Sequence, residues 1–538
     1  MPKQLEAWMG VGALFAAAAC TAVSDFSVHQ CDVHADCAHL EGGAWQCEDA
    51  RCVPGCASNQ HCAATDPRSP VCPEPGAQCV SLSTAEGACY ASTGFDPVAS
   101  GPLTARDMLW VGAFAPTLRS STWLTLKLAA DEINAAGGLS SVQGPQPLVV
   151  VLCQDSTDAV DVAMDHLVLE LGARGLVGSL ADEALRVALE RAPSKDRALL
   201  LSPNGANAAS ASADEAEQLL WYWGSAYDRV LPVYPALVDR VVRASSLALL
   251  PDNYHIAIVR SRDREDQQLA EAASSAISVG GVASEDLARF GRLRTFVLPP
   301  GSALPADLAD YAPDLVLLFA GGHDPLSPYA ERSSVVGGLQ ALEAQQPGFR
   351  PVYVFGPRNA YDSELSSLAR GNPDFRARAL LVTADRQSDP GMVDLLASRF
   401  AAAYPALPAA AAGLRAVDPV YDTLYYLALA IDAASGAGPL TASAVRDGLV
   451  RVTDPLSEPA SLGSSTWERT RQLLHSRGSI NLSGTSGPAA FDAAGRTRPG
   501  PAGVRCWRAD GTLVTRGTYD ETTTSLVSEP AECAEEAF

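Results

Sequence analysis

Thirteen cysteines and eight histidines hold most of the chemistry that this 538-residue chain could perform by residue type. Nine of the cysteines lie between Cys20 and Cys79, and eight of those fall into two similar runs. Cys31, Cys37, Cys47 and Cys52 are followed by Cys56, Cys62, Cys72 and Cys79, with gaps of five and then nine residues recurring in both. Gly, Pro and Asp fill the intervals. They offer no material for a core, so cross-links that restrict the unfolded chain would have to replace one. Two chemistries suit cysteines at this density. Zinc sites use ligand pairs two to four residues apart, and Cys31 with His34 has that spacing. The cysteine repeat, however, is not matched by a repeat among His29, His34, His39 and His61. Disulfides are therefore expected and no metal, with three connectivities open within each run of four. Of the remaining cysteines, Cys506 and Cys533 would form a C-terminal bridge, and Cys89 with Cys153 would tie the cysteine-rich region to the body.

Catalytic constellations are missing. There is no G-x-S-x-G elbow, no P-loop, no H-E-x-x-H and no G-x-G-x-x-G after a strand, so neither catalysis nor a cofactor is expected. The 62 acidic and 39 basic residues give a formal charge of −23, which leaves no basic field for nucleic acid. The chain begins MPKQLEAWMGVGALFAAAAC, with Lys3 ahead of an apolar stretch from Trp8 to Ala19. That stretch is shorter than the roughly 20 apolar residues that span a bilayer, and it fits a secretory signal over residues 1–19. Its end, AAAC, resembles a bacterial lipobox with Cys20 lipidated, and Thr21 after it resembles the outer-membrane sorting pattern. The resemblance implies export to the periplasm or cell envelope and a membrane anchor. Thirteen cysteines suit an oxidising compartment.

The elements that would position a site begin after a Ser-, Gly-, Ala- and Pro-rich stretch read as a linker, 81–104, between the cysteine modules of 20–80 and the body. Apolar runs at Met108–Phe114, Leu148–Leu152, Gly175–Gly178 and Ala198–Leu201 predict strands, and helical spacing over Trp123–Ala136, Val160–Leu171 and Ala184–Arg191 predicts helices between them. The alternation restarts with strands at Ile256–Val259, Arg294–Leu298, Leu315–Phe319 and Val352–Phe355, and helices near Asp266–Ile277, Ser334–Ala344 and Ser363–Ala369. Strands alternating with helices mean parallel sheets covered on both faces. Two such series predict two α/β lobes with ligand at the carboxyl ends of the strands.

Ala130, Glu132, Ile133, Asn134, Gly137 and Gly138 close a helix in a pattern that resembles the opening of type I periplasmic binding proteins of the leucine/isoleucine/valine-binding group. Asp155, Gly178-Ser179, Leu201-Ser202-Pro203, Tyr421-Asp422 and the stretch from Gly484 to Gly495 follow in the family's order, over roughly 105–510. The resemblance implies two doubly wound parallel sheets joined by three crossovers, near Tyr227-Asp228, Thr383-Ala384 and Ile480. The lobes would then be 105–228 with 385–479, and 229–384 with 480–515, leaving 516–538 as an acidic extension. It implies closure on a small solute by hinge motion and delivery to an ABC permease. An alternative is an envelope interaction protein that keeps the fold as a platform.

Residue by residue, the resemblance implies ligand contacts from Ser179, Asp182, Ser202, Asn204, Ala206 and Arg358; His323, after Gly321-Gly322, could reach the cleft from the second lobe or be a structural histidine. Ala206 stands where the amino-acid binders have threonine, and Arg358 where they have the glutamate that holds the α-ammonium. A cation about 4 Å from an ammonium costs roughly 1–4 kcal/mol, so the usual zwitterion orientation is disfavoured. Arg358 suits a carboxylate or another anion, or else is a solvated loop residue. Asp182 fits a helix N-terminal charge as well as a contact. Trp221, Tyr222 and Trp223 fit either ligand stacking or hinge packing.

Overall fold

The computed structural model describes Asp36, residues 45–48 and, with interruptions, 51–528; the longer intervals outside the described residues are 1–35, 37–44, 96–107, 116–120, 179–197, 204–217, 245–253, 299–303, 321–334, 385–389, 406–413, 492–501 and 529–538. The chain divides into two compact units, Met1–Leu82 with Asp96–Met108, and Ser83–Phe95 with Leu109–Phe538.

In the first unit the cysteines do the work of a core. Cys56 joins Cys72 and Cys62 joins Cys79, so the second run is connected first to third and second to fourth. These cysteines cluster in the interior beside Asn59, whose buried Oδ1 accepts from the Cys72 N–H at 2.8 Å. The sulfurs of Cys56, Cys62 and Cys72 lie within 4.8 Å of one another, but disulfide formation removes the thiolates that a metal would need. His61 is not aimed at them as a ligand; its Nδ1 accepts from the Ala57 N–H at 3.1 Å. Of the first run, Cys47 and Cys52 face each other across a short hairpin, Trp45–Glu48 with Arg51–Pro54, and both are disulfide-bonded. Cys20, Cys31 and Cys37 lie outside the described residues.

The second unit contains two large sheets. Leu109–Phe114 and Leu148–Cys153 are buried at every position, as central strands of a helix-covered sheet must be. The first sheet comprises β1 (Cys89–Thr93), β2 (Leu109–Phe114), β3 (Leu148–Cys153), β4 (Gly175–Gly178), β5 (Leu199–Ser202) and β6 (Leu220–Tyr222), in the order β6-β5-β4-β2-β3-β1. The second comprises β7 (Ile256–Arg260), β8 (Leu293–Val297), β9 (Leu315–Phe319), β10 (Val352–Phe355), β11 (Ala379–Ala384), β12 (Ala502–Trp507), β13 (Leu513–Asp520) and β14 (Ser525–Ser528), in the order β8-β7-β9-β10-β11-β12-β13-β14. Five strands of each sheet run parallel, as the alternation predicts. The helices include α1 (Ser121–Ala135), α2 (Val233–Ala244), α3 (Arg264–Ala276) and the 22-residue α4 (Leu414–Ser435).

Three boundaries read from the sequence need correction. The stretch read as linker contains β1, which pairs antiparallel with β3 and is bonded to it through Cys89–Cys153. The bridge therefore staples an edge strand onto its own sheet. The extension read from 516 onward supplies much of β13 and all of β14, both antiparallel in the second sheet. The third crossover falls after Phe491 and not near Ile480. Residues Asn481–Gly484 pair with Pro459–Ser461, while Ile480, Leu482 and Ala489 pack in the core of the first sheet. Cys506 is disulfide-bonded, while its expected partner Cys533 lies outside the described residues.

The crossovers converge. Ala384, where the chain leaves the second sheet, is the register partner of Ala502, where it returns. The first crossing enters through the short helix Tyr227–Val230, which packs against β11 and β12. The second-sheet ends of the three crossings thus lie side by side. Among the described residues, no helix is long and apolar enough to cross a membrane.

Candidate functional site

Parallel sheets expose their ligand-binding loops at the carboxyl ends of the strands, and in the second sheet those ends gather several polar groups. Arg260 closes β7 after the apolar run Ile256–Val259. Strand alternation puts it on the face of Ile256 and Ile258, which is the face covered by α2. Its register partner is Phe319 at the end of β9. The ring of Phe319 lies 5.1 Å from that of Tyr234 on α2. A Cβ added to Gly356, just beyond β10, would sit 3.2 Å from both the Leu318 carbonyl oxygen and the Phe319 ring and 3.7 Å from the Tyr234 hydroxyl, so the absence of a side chain lets these groups pack closely there. Asn359 follows, donating from Nδ2 to the Ala320 carbonyl at 2.7 Å and from its backbone N–H to Gly356 at 3.0 Å.

Several of these groups lack partners. The Tyr234 hydroxyl, Asn359 Oδ1 and Arg260 Nε are all buried and make no hydrogen bond among the described residues. Tyr234 is fully enclosed and Asn359 is 2% exposed, so water does not compensate them at the surface. Burial, and secondarily the charge of Asp266, push the Tyr234 hydroxyl well above its ordinary pKa, which keeps it protonated and able to donate. Asp266 is itself buried and accepts from the Ser261 hydroxyl at 2.7 Å.

Of the ligand contacts implied by the sequence, Ser202 is described and sits buried at the carboxyl end of β5. Ser179, Asp182, Asn204, Ala206, His323 and Arg358 lie outside the described residues, as does the helix expected at Ala184–Arg191. Sequence reasoning missed Arg260, Tyr234 and Asn359. A charge terminating an otherwise apolar buried run was the signal for Arg260; the other two carry none.

Other motif residues come together as scaffold. Glu132 on α1 accepts from the hydroxyls of Tyr421 and Tyr425, the latter at 2.8 Å, with Arg399 at 3.4 Å. Asp422 is fully buried and accepts four hydrogen bonds, from the backbone N–H and hydroxyl of both Thr485 and Ser486. Ser486 Oγ also accepts from Trp223 Nε1 at 3.0 Å, and Trp221 and Trp223 pack on Phe491 and Tyr426. In Trp221 and Trp223, then, the structure displays packing beside the crossings. Elsewhere, a groove of about 800 Å³ runs between helices Val335–Gln345 and Ser363–Gly371. It lies away from the strand ends, and its Glu343 is already bonded to Arg378 at 2.8 Å and Tyr353 at 2.9 Å.

No protein-family model matches the chain, and no curated protein does. Solved structures similar to it include the branched-chain amino acid substrate-binding protein LivJ of Streptococcus pneumoniae in complex with isoleucine, at 16% identity and a TM-score of 0.48, with 78% of this chain and 100% of that one covered. The leucine-binding protein LivK of Thermotoga maritima gives 11% identity and a TM-score of 0.48, over 77% of this chain and 100% of the other. A solute-binding protein of Rhodopseudomonas palustris in complex with 3,4-dihydroxybenzoic acid gives 12% and 0.49, over 80% and 99%. The two-lobed assignment rests on the sheet orders and crossings described above.

Proposed function

We propose that the chain is an exported, lipid-anchored solute-binding protein that holds a small polar or anionic molecule between its lobes, for ABC-type uptake or for sensing. The observation that carries this reading is the convergence of three crossings, with Ala384 and Ala502 in direct register. Lobes joined by segments whose ends lie side by side can close on a ligand by small dihedral changes. Ser202 from the first sheet, with Ser179, Asp182, Asn204 and Ala206 beside it, and His323 and Arg358 from the second would supply the contacts. The disulfides favour an oxidising compartment, and the lipobox at Cys20 would supply the anchor, with outer-membrane sorting.

The test is thermal unfolding of the mature protein against amino acids, amides, carboxylic acids and short peptides. A ligand present at about 100 times its Kd adds about 2.7 kcal/mol to stability, which registers as a clear rise in Tm. A panel in which no member moves Tm contradicts the reading. A second reading, an envelope interaction protein, draws on the separate disulfide-knit unit, which solute binding does not require. It predicts a defined envelope partner whose binding survives substitution of the strand-end residues.

A further inference from the structure

We infer that Arg260 is the anion-reading residue of the cleft, and that the solute is a carboxylic acid bearing a nearby hydroxyl or amide hydrogen-bond donor. This inference rests on the solute-binding reading and narrows its substrate class.

Arg260 ends the strand one in from the edge of the second sheet, where the parallel neighbours β7, β9 and β10 present their carboxyl ends together. Its guanidinium makes one contact, from Nη1 to the neighbouring Ser261 carbonyl at 3.4 Å, while Nε stays buried and unbonded. It forms no ion pair among the described residues. A half-buried guanidinium normally recovers its lost hydration from a carboxylate or several carbonyls. Arg378, elsewhere in the same lobe, also leaves its Nε unbonded but meets Glu343 and Asp374, both at 2.8 Å. Among the described residues Arg260 has no such carboxylate, which marks it as a cation held ready for a partner.

The neighbouring groups define the rest of that partner. Tyr234, packed against the register partner of Arg260, holds a protonated, unbonded hydroxyl beside Gly356. Asn359 offers an unsatisfied acceptor, Oδ1, because its Nδ2 is spent on Ala320. Two donors and one acceptor at one sheet end match an acid whose carboxylate meets Arg260 bidentately and whose hydroxyl or amide N–H meets Asn359. Asp266, the acid whose charge reaches Tyr234, has one oxygen engaged by Ser261.

Isothermal titration of the full mature protein with hydroxycarboxylic and N-acylated acids, their methyl esters and their deoxy analogues tests this. The free acid should bind, and its methyl ester should bind about 10- to 100-fold more weakly, the loss expected for a charge-assisted hydrogen bond. Arg260→Gln should abolish that preference for acid over ester, and Arg260→Lys should retain part of it. Circular dichroism checks that the variants fold, and the acid-to-ester comparison on the unmodified protein needs no variant. If acid and ester bind alike, or if R260Q keeps the preference, the assignment of Arg260 is overturned while solute binding stands. If the unmodified protein binds only neutral or cationic solutes, the substrate class is wrong. Failure to bind any solute overturns both this inference and the reading beneath it.

Discussion

Asp422 shows how a single buried charge can organise a distant turn. Its carboxylate receives all its hydrogen bonds from Thr485 and Ser486, more than sixty residues away in the chain. Truncation in D422A would strand two buried backbone N–H groups and two hydroxyls, and should cost on the order of 3 kcal/mol or more in urea unfolding. Burial outweighs the four donors and holds this carboxyl above its ordinary pKa of 3.8. The folded state then binds the proton more tightly than the unfolded chain does. This group's contribution to stability is therefore largest at low pH and declines as pH rises through the folded pKa. Urea unfolding across a pH series should show that slope in the unmodified protein and lose it in D422N. Gly484 has a steric reason of its own, because a Cβ there would press into the Asp422 carboxylate. G484A should accordingly be destabilised to a similar degree. A G484A protein with unchanged unfolding would show that the carboxylate can move aside.

Among the elements, those built from unbroken apolar runs were legible from the sequence. Leu148–Cys153 and Leu315–Phe319 are wholly buried, and their composition admits no other environment. Cys89–Thr93 was not legible. CYAST has no apolar run, and its strand character comes from pairing with β3 and from the bridge to Cys153. β13 and β14 escaped for the same reason, since residues such as Thr515, Thr518 and Ser525 become strand by pairing with β12 and with each other. The Cys89–Cys153 bridge closes a loop with a sequence separation of 64 residues. In the chain-entropy view, removing it as C89A/C153A should cost about 4 kcal/mol, read from denaturant unfolding. The cysteine repeat extends the connectivity to the first run. Non-reducing peptide mapping should find Cys31 linked to Cys47 and Cys37 to Cys52, matching the order of Cys56–Cys72 and Cys62–Cys79. Any other pairing would break the correspondence between the two modules.

At the scale of the whole molecule, the two-lobed plan was readable because each series of strands and helices repeats one physical unit. The candidate site was less so. Arg260 is one arginine among many in the sequence, and only its strand-end position and missing partner distinguish it. Tyr234 and Asn359 acquire meaning through Phe319, Gly356 and Ala320, contacts between segments far apart in the chain. Hinge closure around a bound solute should lower the radius of gyration in solution scattering, and a variant that forces a side chain against Leu318, Phe319 and Tyr234, G356L, should lose that response. The most direct measurement is native mass spectrometry of the mature protein titrated with a pooled library of small acids, amides and amino acids. The account predicts one adduct of a single solute per chain, absent from G356L and weakened in R260Q. A chain that takes up no member of the pool, or an adduct indifferent to both substitutions, would contradict it.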